Sequence, residues 1–442
     1  MNFIFISPQF PRTYWNWCDR LKKNGANVLG IGDTPYDDLA PELKQCLTEY
    51  YKVGTLEDYD QVFRAVAFFS FKYGKIHWLE SNNEYWLEHD SMLRTDFNIL
   101  SGPDVDEIQA YRSKAAMKPY YRKAGVPTCR QAPVTTQEEA EKFIKKVGYP
   151  VIVKPEYGVG AAATWRLENE EDLAAFFAEK PEDAYVMEEY VYGWICSYDA
   201  IVDSQSNVLF ESMSISPPIM DIVNEQTELV FYVPPSVEPQ LQERGRATVK
   251  SFGVKSRFVH MEFFKLTKAK KGLGKVGDFV GLEVNMRPGG GYMPDMMDFA
   301  HSTDVYQLWA DMICFDERRL PENPEQQYCV YFGQRDRFTY VHSKEDILAK
   351  YGSRIKMCER MPDILSGAMG NQMYTALLPT REEMDEFVKY AGEKVGEPQK
   401  ETAASKDAEA SSPQNGGIDY DGAYEQEECH QADCIPKRVN RN

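Results

Sequence analysis

The residues best suited to chemistry lie in the run from Gly281 to Gly291, where polar and apolar residues alternate. Side chains of a strand alternate between faces, so Glu283, Asn285 and Arg287 are predicted to share one face. The intervening residues, predicted to face a core, are Leu282, Val284 and Met286. A carboxylate and an amide oxygen suit Mg²⁺, and a guanidinium suits a phosphate oxygen that the metal also binds.

A second polar strand lies upstream, at 258–264, and carries His260 and Glu262 on one predicted face. The lysine- and glycine-rich loop 267–278 would join the two strands as a long hairpin. Glu262 is then expected opposite Glu283, at about 5 Å between Cβ atoms. Two such carboxylates repel unless they share a proton or a cation. The alternative for either strand alone is a solvated sheet edge, but the combination favours a metal–phosphate site.

A lysine and a loop of small residues form the next candidate element. The β-branched strand 150–155 contains Lys154, and the turn after it includes Gly158, Gly160, Ala161 and Ala162. Small residues let backbone N–H groups approach phosphate oxygens, while lysine adds a point charge. The alternative is a turn whose glycines only permit positive φ.

Two further elements are weaker when taken alone. Lys114 is predicted in the first turn of a helix, where a cation is unfavourable to the helix dipole and where a solvated lysine is the default. The segment 185–193 reads as a strand that leads into an extended hinge, whose backbone can pair with an adenine edge. The hinge residues are Glu188, Glu189, Tyr190 and Val191. An ordinary buried strand is the alternative for this segment.

These elements require a scaffold of alternating strands and helices, which predicts an α/β fold with a doubly wound parallel sheet in the first hundred residues. Helix 104–124 is expected to open a second unit. We predict an N-terminal α/β domain at 1–105, a second α/β unit at 106–195 and a larger mixed α/β C-terminal domain at 196–395. The tail 396–442 is predicted to be disordered and acidic, because it is polar and poor in branched apolar residues.

The composition of the chain excludes some classes of binding partner. The chain has 442 residues and a formal net charge of −19, which argues against a nucleic-acid surface and against an electrostatic membrane surface. No run approaches the length of a membrane span. The nine cysteines are scattered, which favours free thiols in the cytoplasm. Cys429 and Cys434 flank His430 in the tail, where a metal or redox site is the less favoured interpretation.

The order of these elements resembles the ATP-grasp superfamily of ligases over roughly residues 1–390, and most closely its carboxylate–amine (amino-acid) ligases. The resemblance rests on Ser113-Lys114 before Ala-Gly-Val-Pro, Val-Lys-Pro with its glycine loop, Met-Glu-Glu-Tyr-Val-x-Gly, and Glu262 followed by Glu283-x-Asn285-x-Arg287. It implies an ATP-grasp fold that holds ATP between a lid and a C-terminal domain.

The resemblance also implies residue roles. Lys114 and Lys154 are then the phosphate-binding lysines, 158–162 the loop over the phosphates, and 188–191 the adenine hinge. Glu262, Glu283 and Asn285 are then the ligands of one or two Mg²⁺, with Mn²⁺ as a substitute. Arg287 and Lys154 are the catalytic cations that stabilise the transferred phosphoryl group.

The implied reaction joins a small-molecule carboxylate and an amine through an acylphosphate, and a homodimer is compatible with it. Gly289, Gly290 and Gly291 would offer N–H groups to the substrate carboxylate, and His260 would either contact substrate or fill the sheet face. One departure is clear: Gly193-Trp194-Ile195 lacks the acid that binds the ribose in many members. The alternatives are a bicarbonate-using carboxylase or carbamoyl-phosphate-synthase-like enzyme, and a non-catalytic ATP-binding protein.

Overall fold

The computed structural model describes residues 1–158, 163–179, 184–217 and 227–396. Gly160, Ala161, Ala162 and the tail with Cys429 and Cys434 therefore lie outside the described residues. The chain divides into two compact units, one formed by Met1–Met220 with Phe231–Val330 and the other by Asp221–Val230 with Tyr331–Asn442. All described candidate site residues belong to the first unit.

The N-terminal part of the first unit is a parallel α/β layer, as predicted. Its strands are β1 (Asn2–Ile6), β2 (Asn27–Gly32), β3 (Glu49–Lys52) and β4 (Trp78–Glu80), in the order β3-β2-β1-β4. Its helices are α1 (Trp15–Lys23), α2 (Pro41–Cys46), α3 (Tyr59–Tyr73) and α4 (Leu87–Asp96). Short 3₁₀ helices span Tyr36–Asp38 and Glu84–Trp86. Every residue of β1 is buried, as expected for a strand covered on both faces.

The helix predicted at 104–124 is divided in two. Helix α5 (Gln109–Arg112) ends at Ser113, and helix α6 (Lys114–Lys123) begins after it. The Ser113 hydroxyl accepts from the backbone N–H of Ala116 at 3.1 Å and thereby caps α6. The break fixes Lys114 as the first residue of α6.

A small antiparallel sheet follows. Its strands are β5 (Gln131–Val134), β6 (Val151–Pro155), β7 (Trp165–Leu167) and β8 (Tyr185–Glu189), in the order β5-β8-β6-β7. Helices α7 (Gln137–Val147) and α8 (Glu170–Glu179) pack against it through a core that includes Phe143, Val153 and Phe176. Strand β8 is central in this sheet, so its side chains are buried on both faces.

A larger antiparallel sheet completes the first unit. Its strands are β9 (Gly193–Val202), β10 (Val208–Ser216), β11 (Leu229–Val233), β12 (Arg257–Leu266) and β13 (Phe279–Asn285), in the order β13-β12-β9-β10-β11. The helices of this part are α9 (Pro239–Phe252), α10 (Met293–His301) and α11 (Val305–Phe315). Alternate residues of β9 and β12, among them Tyr198, Val259 and Met261, form one apolar core with α6 and α9. The opposite face of these strands carries the polar residues Ser197, Asp199, His260 and Glu262.

The second unit contains strands β14 (Tyr328–Gln334), β15 (Ile355–Arg360) and β16 (Gln372–Leu378), in the order β14-β16-β15. Its helices are α12 (Lys344–Tyr351), α13 (Asp363–Met369) and α14 (Arg381–Gly392). Among the described residues of both units, no helix combines the length and the apolar character needed to cross a membrane.

A buried ion cluster joins the N-terminal layer to the large sheet within the first unit. The carboxylate of Glu80 lies 3.1 Å from a guanidinium nitrogen of Arg94 and 2.8 Å from one of Arg257. Arg257 also donates to the backbone oxygen of Met286 at 3.0 Å. Met286, the residue before Arg287, is therefore linked through Arg257 to Glu80 at the end of β4.

Candidate active site

The polar face of the β12–β13 hairpin carries the predicted metal ligands. Glu262 pairs with Glu283, and His260 pairs with Asn285, in the antiparallel ladder. The predicted pairing of the two carboxylates is therefore confirmed. The expected core position of Leu282 is wrong, because a bulge between Glu262 and Phe263 leaves Leu282 half-buried, whereas Val284 and Met286 do lie in the core.

Arg287 lies beyond the end of β13 rather than on the strand. It nevertheless stays beside Asn285, because its Nη2 donates to the Asn285 side-chain oxygen at 3.3 Å. Its Nη1 donates to the backbone oxygen of Pro288 at 2.8 Å, and its Nε lies 3.3 Å from a carboxylate oxygen of Glu84. Glu84, from the segment after β4, is thus a site residue that the sequence did not indicate.

Lys154 is held by a buried carboxylate that a second lysine shares. The Nζ of Lys154 lies 2.8 Å from Glu188, and the Nζ of Lys118 lies 3.1 Å from the other oxygen of that carboxylate. Lys118 also donates to the backbone oxygen of Leu282 at 2.8 Å. The Glu188 side chain therefore positions Lys154 and cannot also reach toward an adenine base.

The charges in this group reinforce one another. Burial raises the pKa of Glu188, but Lys118 and Lys154 outweigh burial and lower it to about 2. Burial likewise lowers the pKa of Lys154, and the carboxylates of Glu188 and Glu283 outweigh that effect and raise it. Lys154 is therefore fully protonated at neutral pH, as a phosphate-binding lysine must be.

Lys114 approaches the same point from the start of α6. Its Nζ donates to the backbone oxygen of Gly158 at 3.1 Å and lies 4.0 Å from Glu283. The side chain is buried, so its position is defined by these two groups. Lys114, Lys154 and Glu283 come from three segments and converge in the structure.

A buried polar chain supports Glu262. The Nδ1 of His260 lies 2.7 Å from Asp199, and its Nε2 lies 3.4 Å from Glu262. Burial lowers the pKa of His260, but the carboxylates of Asp199 and Glu262 together outweigh burial and raise it to about 9. The Ser197 hydroxyl donates to Asp199 and lies 2.7 Å from the Ser214 hydroxyl. His260 is therefore a protonated partner of two carboxylates, and the sequence did not assign Asp199 to this group.

The predicted hinge consists of the last two residues of β8, Glu188 and Glu189, and the next two residues of the chain, and it leads from the small antiparallel sheet to the larger one. Glu189 is engaged by its side chain, at 2.6 Å from Arg130 and 3.2 Å from Lys270. Lys270 also donates to the backbone oxygen of Tyr190 at 2.6 Å. Val191 belongs to a small apolar cluster beside the hinge. The other members of that cluster are Cys129, Leu266, Leu273 and Val280, with Phe264 packed against it.

The three glycines after Arg287 differ in the space around them. A Cβ on Gly289 would meet Met293 Cγ at 2.8 Å and His260 Nδ1 at 3.3 Å, whereas one on Gly290 would meet no described atom within 4 Å. Gly291 has a φ of +62°, which favours glycine. The turn therefore lies against His260 and leads into α10.

The donor set suits Mg²⁺ that is shared with phosphate. Among the described residues, no three His, Cys, Asp or Glu side chains converge as a complete metal site. Two carboxylates and an amide, those of Glu262, Glu283 and Asn285, lie on one face of the β12–β13 ladder at neighbouring positions. Mg²⁺ is commonly held by one or two carboxylates together with substrate phosphates and water, so an incomplete protein set fits.

The sequence was compared with known families. The family described as "Carbamoyl-phosphate synthase L chain, ATP binding domain" matches residues 113–238. The C-terminal section of the carbamoyl phosphate synthase large chain from Methanopyrus kandleri is 28% identical over 148 residues, or 31% of this chain and 26% of that protein. The match thus spans about a quarter of the length of that relative.

Solved structures extend the similarity to most of the chain. The L-amino acid ligase from Bacillus licheniformis superposes with a TM-score of 0.66 at 14% identity, over 88% of this chain and 96% of that chain. The biotin carboxylase domain of Hydrogenobacter thermophilus 2-oxoglutarate carboxylase, solved with MgADP, ADP and bicarbonate, gives 0.61 at 17% identity, over 85% of this chain and 86% of that chain. The chain has an ATP-grasp fold. The predicted fold is therefore confirmed.

The chain has no acid at the position where the resemblance predicts a ribose ligand. Ile195 stands there on β9 and pairs with Phe264 of β12. The next two residues on the same face of β9 are Ser197 and Asp199, and both are engaged in the chain that reaches His260. Asp199 therefore supports the Glu262 side of the site.

Four residues of the site were missed from the sequence. Lys118 lies one helical turn after Lys114, a spacing that places both on one face of α6 and was an available signal. Asp199 and Ser197 are polar same-face residues within an otherwise apolar strand, which was a second signal. For Glu84 there was no local signal, because its role depends on how the N-terminal layer packs beside Arg287.

Proposed function

We propose that this chain is an ATP-dependent carboxylate–amine ligase that uses Mg²⁺, or Mn²⁺ in its place, and forms an amide through an acylphosphate. The observation that carries the proposal is the convergence of the Glu262–Glu283 pair with Lys114, Lys154 and Arg287. Paired carboxylates opposed by three cations suit phosphoryl transfer better than nucleotide binding alone.

In the first step, an oxygen of the substrate carboxylate attacks the γ-phosphorus of ATP, and ADP leaves. Mg²⁺ held by Glu262, Glu283 and Asn285 would supply charge neutralisation at the phosphates. Lys114 and Lys154 bind the phosphates, and the described Gly158, with residues 160–162, belongs to the proposed loop over them. Arg287 stabilises the transferred phosphoryl group, held in place by Asn285 and Glu84.

In the second step, the amine attacks the acyl carbon and inorganic phosphate leaves as the amide forms. We assign the N–H groups of Gly289, Gly290 and Gly291 to the substrate carboxylate. His260 fixes Glu262 through its contacts with Asp199 and Glu262, which favours support of the site over a filling role.

The adenine is proposed to bind at the hinge formed by Glu188, Glu189, Tyr190 and Val191, through backbone groups and the apolar cluster around Val191. The side chains of Glu188 and Glu189 are already paired with lysines and an arginine, so they hold the hinge rather than the base. We also propose a cytoplasmic location, since the seven described cysteines are free thiols, and a homodimer as the assembly.

The decisive experiment is incubation with ATP, Mg²⁺ and pooled amino acids, with measurement of ADP and phosphate and mass spectrometry of the product. Hydroxylamine in place of the amine should trap the acylphosphate as a hydroxamate. Phosphate release that depends on bicarbonate alone would instead support the carboxylase alternative, which the likeness to a biotin carboxylase domain keeps in view. Binding of ATP without turnover of any acid would support a non-catalytic protein.

A further inference from the structure

A cavity of about 300 Å³ lies beside the candidate active site. Its lining includes the 3₁₀ helix Glu84–Trp86, the start of α4 and the end of α5. The residues that carry the argument are Glu57, Glu84, Tyr85, Trp86, Glu88 and Arg112. A volume of this size suits a small organic molecule.

Two lining residues of the cavity contact cations that are proposed to act in phosphoryl transfer, Arg287 and Lys114. Glu84 lines it and lies 3.3 Å from Arg287. Gly158 lines it as well, and its backbone oxygen accepts from Lys114 at 3.1 Å. A molecule in this cavity would therefore have one end next to the acylphosphate.

The charges of the lining are predominantly negative. Three carboxylates, those of Glu57, Glu84 and Glu88, line it, against one guanidinium, that of Arg112, and one imidazole, that of His89. Arg112 is already paired with Glu88 at 2.5 Å, and the Tyr85 hydroxyl donates to Glu57 at 2.5 Å. Such a cavity repels a second carboxylate and attracts a cation.

Two further features point to a cationic ligand. The rings of Tyr85 and Trp86 line the cavity, and their centroids lie 4.7 Å apart. The faces of aromatic rings attract ammonium groups. Burial raises the pKa of Glu84, although Arg287 opposes this. A bound cation beside Glu84 would relieve that unfavourable burial of charge.

We propose that this cavity binds the amine substrate and selects amines that carry a second positive charge, namely basic amino acids and diamines. That the bound amine is a substrate rests on the proposed ligase function, whereas binding of a cation in this cavity does not. An amine of equal length without the second positive charge would lose the interaction with the carboxylates and would bind more weakly.

The test compares lysine, cadaverine and norleucine by isothermal titration calorimetry on the full chain, with and without ATP. We expect lysine and cadaverine to bind at least about tenfold more tightly than norleucine, the value of one partly buried ion pair. Glu57→Gln should weaken lysine binding by about tenfold and leave norleucine unchanged, and Arg112→Gln should tighten lysine binding. Glu42→Gln, an exposed carboxylate on α2, is the matched control.

The outcomes separate the two proposals. Equal binding of lysine and norleucine, or an unaltered lysine affinity in Glu57→Gln with an unchanged melting temperature, overturns the cavity assignment. Hydroxamate formation in the same preparation would then leave the ligase proposal standing. Tight lysine binding without hydroxamate from any acid has the opposite meaning, since the cavity would be a cation site in a protein that is not this ligase.

Discussion

Lys118 and Lys154 share the two oxygens of the Glu188 carboxylate, at 3.1 and 2.8 Å. One of these lysines comes from α6 and the other from β6, so Glu188 links two segments that carry proposed phosphate-binding groups. On the proposed binding of phosphate to Lys154, Lys118 would remain to neutralise Glu188. The shared carboxylate would thus let Lys154 change partners without leaving a buried charge uncompensated.

The first prediction concerns Lys118. Lys118→Met should lower the free energy of unfolding by about 3 kcal/mol, because it removes one partner of a buried carboxylate. Urea denaturation measures this loss, and Lys123→Met, an exposed lysine on the same helix, is the control. The double variant Lys118→Met/Glu188→Gln should lose less than the sum of the single variants. Strict additivity would show that the two side chains do not interact.

The second prediction concerns acid stability. Glu188 has its pKa lowered from 4.5 to about 2, so its contribution to stability is present above pH 4.5 and is lost as pH falls toward 2. The wild type should therefore lose about 3 kcal/mol more than Glu188→Gln over that interval. Unfolding free energies of both proteins between pH 6 and the lowest pH at which they stay folded would measure the difference. Parallel curves would contradict the assignment.

The third prediction concerns the metal ligands. Glu262→Gln and Glu283→Gln should each lower kcat/KM for ATP by about 100-fold or more, because each removes a negative ligand of Mg²⁺. Part of the loss should be recovered at higher Mg²⁺ concentration. ADP release over a Mg²⁺ titration measures both effects, with Glu42→Gln as an exposed control. Wild-type turnover in either variant would refute the proposed ligand set.

The fourth prediction compares two neighbouring glycines. Gly289→Ala should lower the free energy of unfolding by about 1–2 kcal/mol, because its Cβ would lie 2.8 Å from Met293 Cγ. Gly290→Ala should change it little, since its Cβ meets no described atom within 4 Å. Thermal unfolding of the pair is the measurement. A larger loss in Gly290→Ala would mean that the turn is arranged differently.

The pairing across β12 and β13 could be predicted because it depends on a local property. Side chains alternate along a strand, and a single hairpin fixes which residues face each other, so Glu262 and Glu283 were brought together correctly. The bulge at Leu282 could not be predicted, since nothing in the alternation marks where one extra residue is accommodated.

The partners of the site residues depend on packing between distant segments. Glu84 meets Arg287 across about two hundred positions of sequence, and Asp199 meets His260 because β9 lies next to β12. Strand order in a sheet is not encoded in the period of either strand. The sequence therefore predicted the candidate site residues better than it predicted the residues that contact and position them.

The ion cluster of Glu80, Arg94 and Arg257 has a consequence for modularity. Arg257 contacts both Glu80 of the N-terminal layer and the backbone oxygen of Met286, the residue before Arg287. The N-terminal layer therefore takes part in positioning the candidate active site. A fragment that begins at residue 106 would leave Arg257 without Glu80 and would release the segment that carries Arg287. A chimaera that takes its first hundred residues from a relative would have to keep the three charged residues of this cluster together. The N-terminal layer and the β12–β13 hairpin are therefore expected to be exchanged only as a pair.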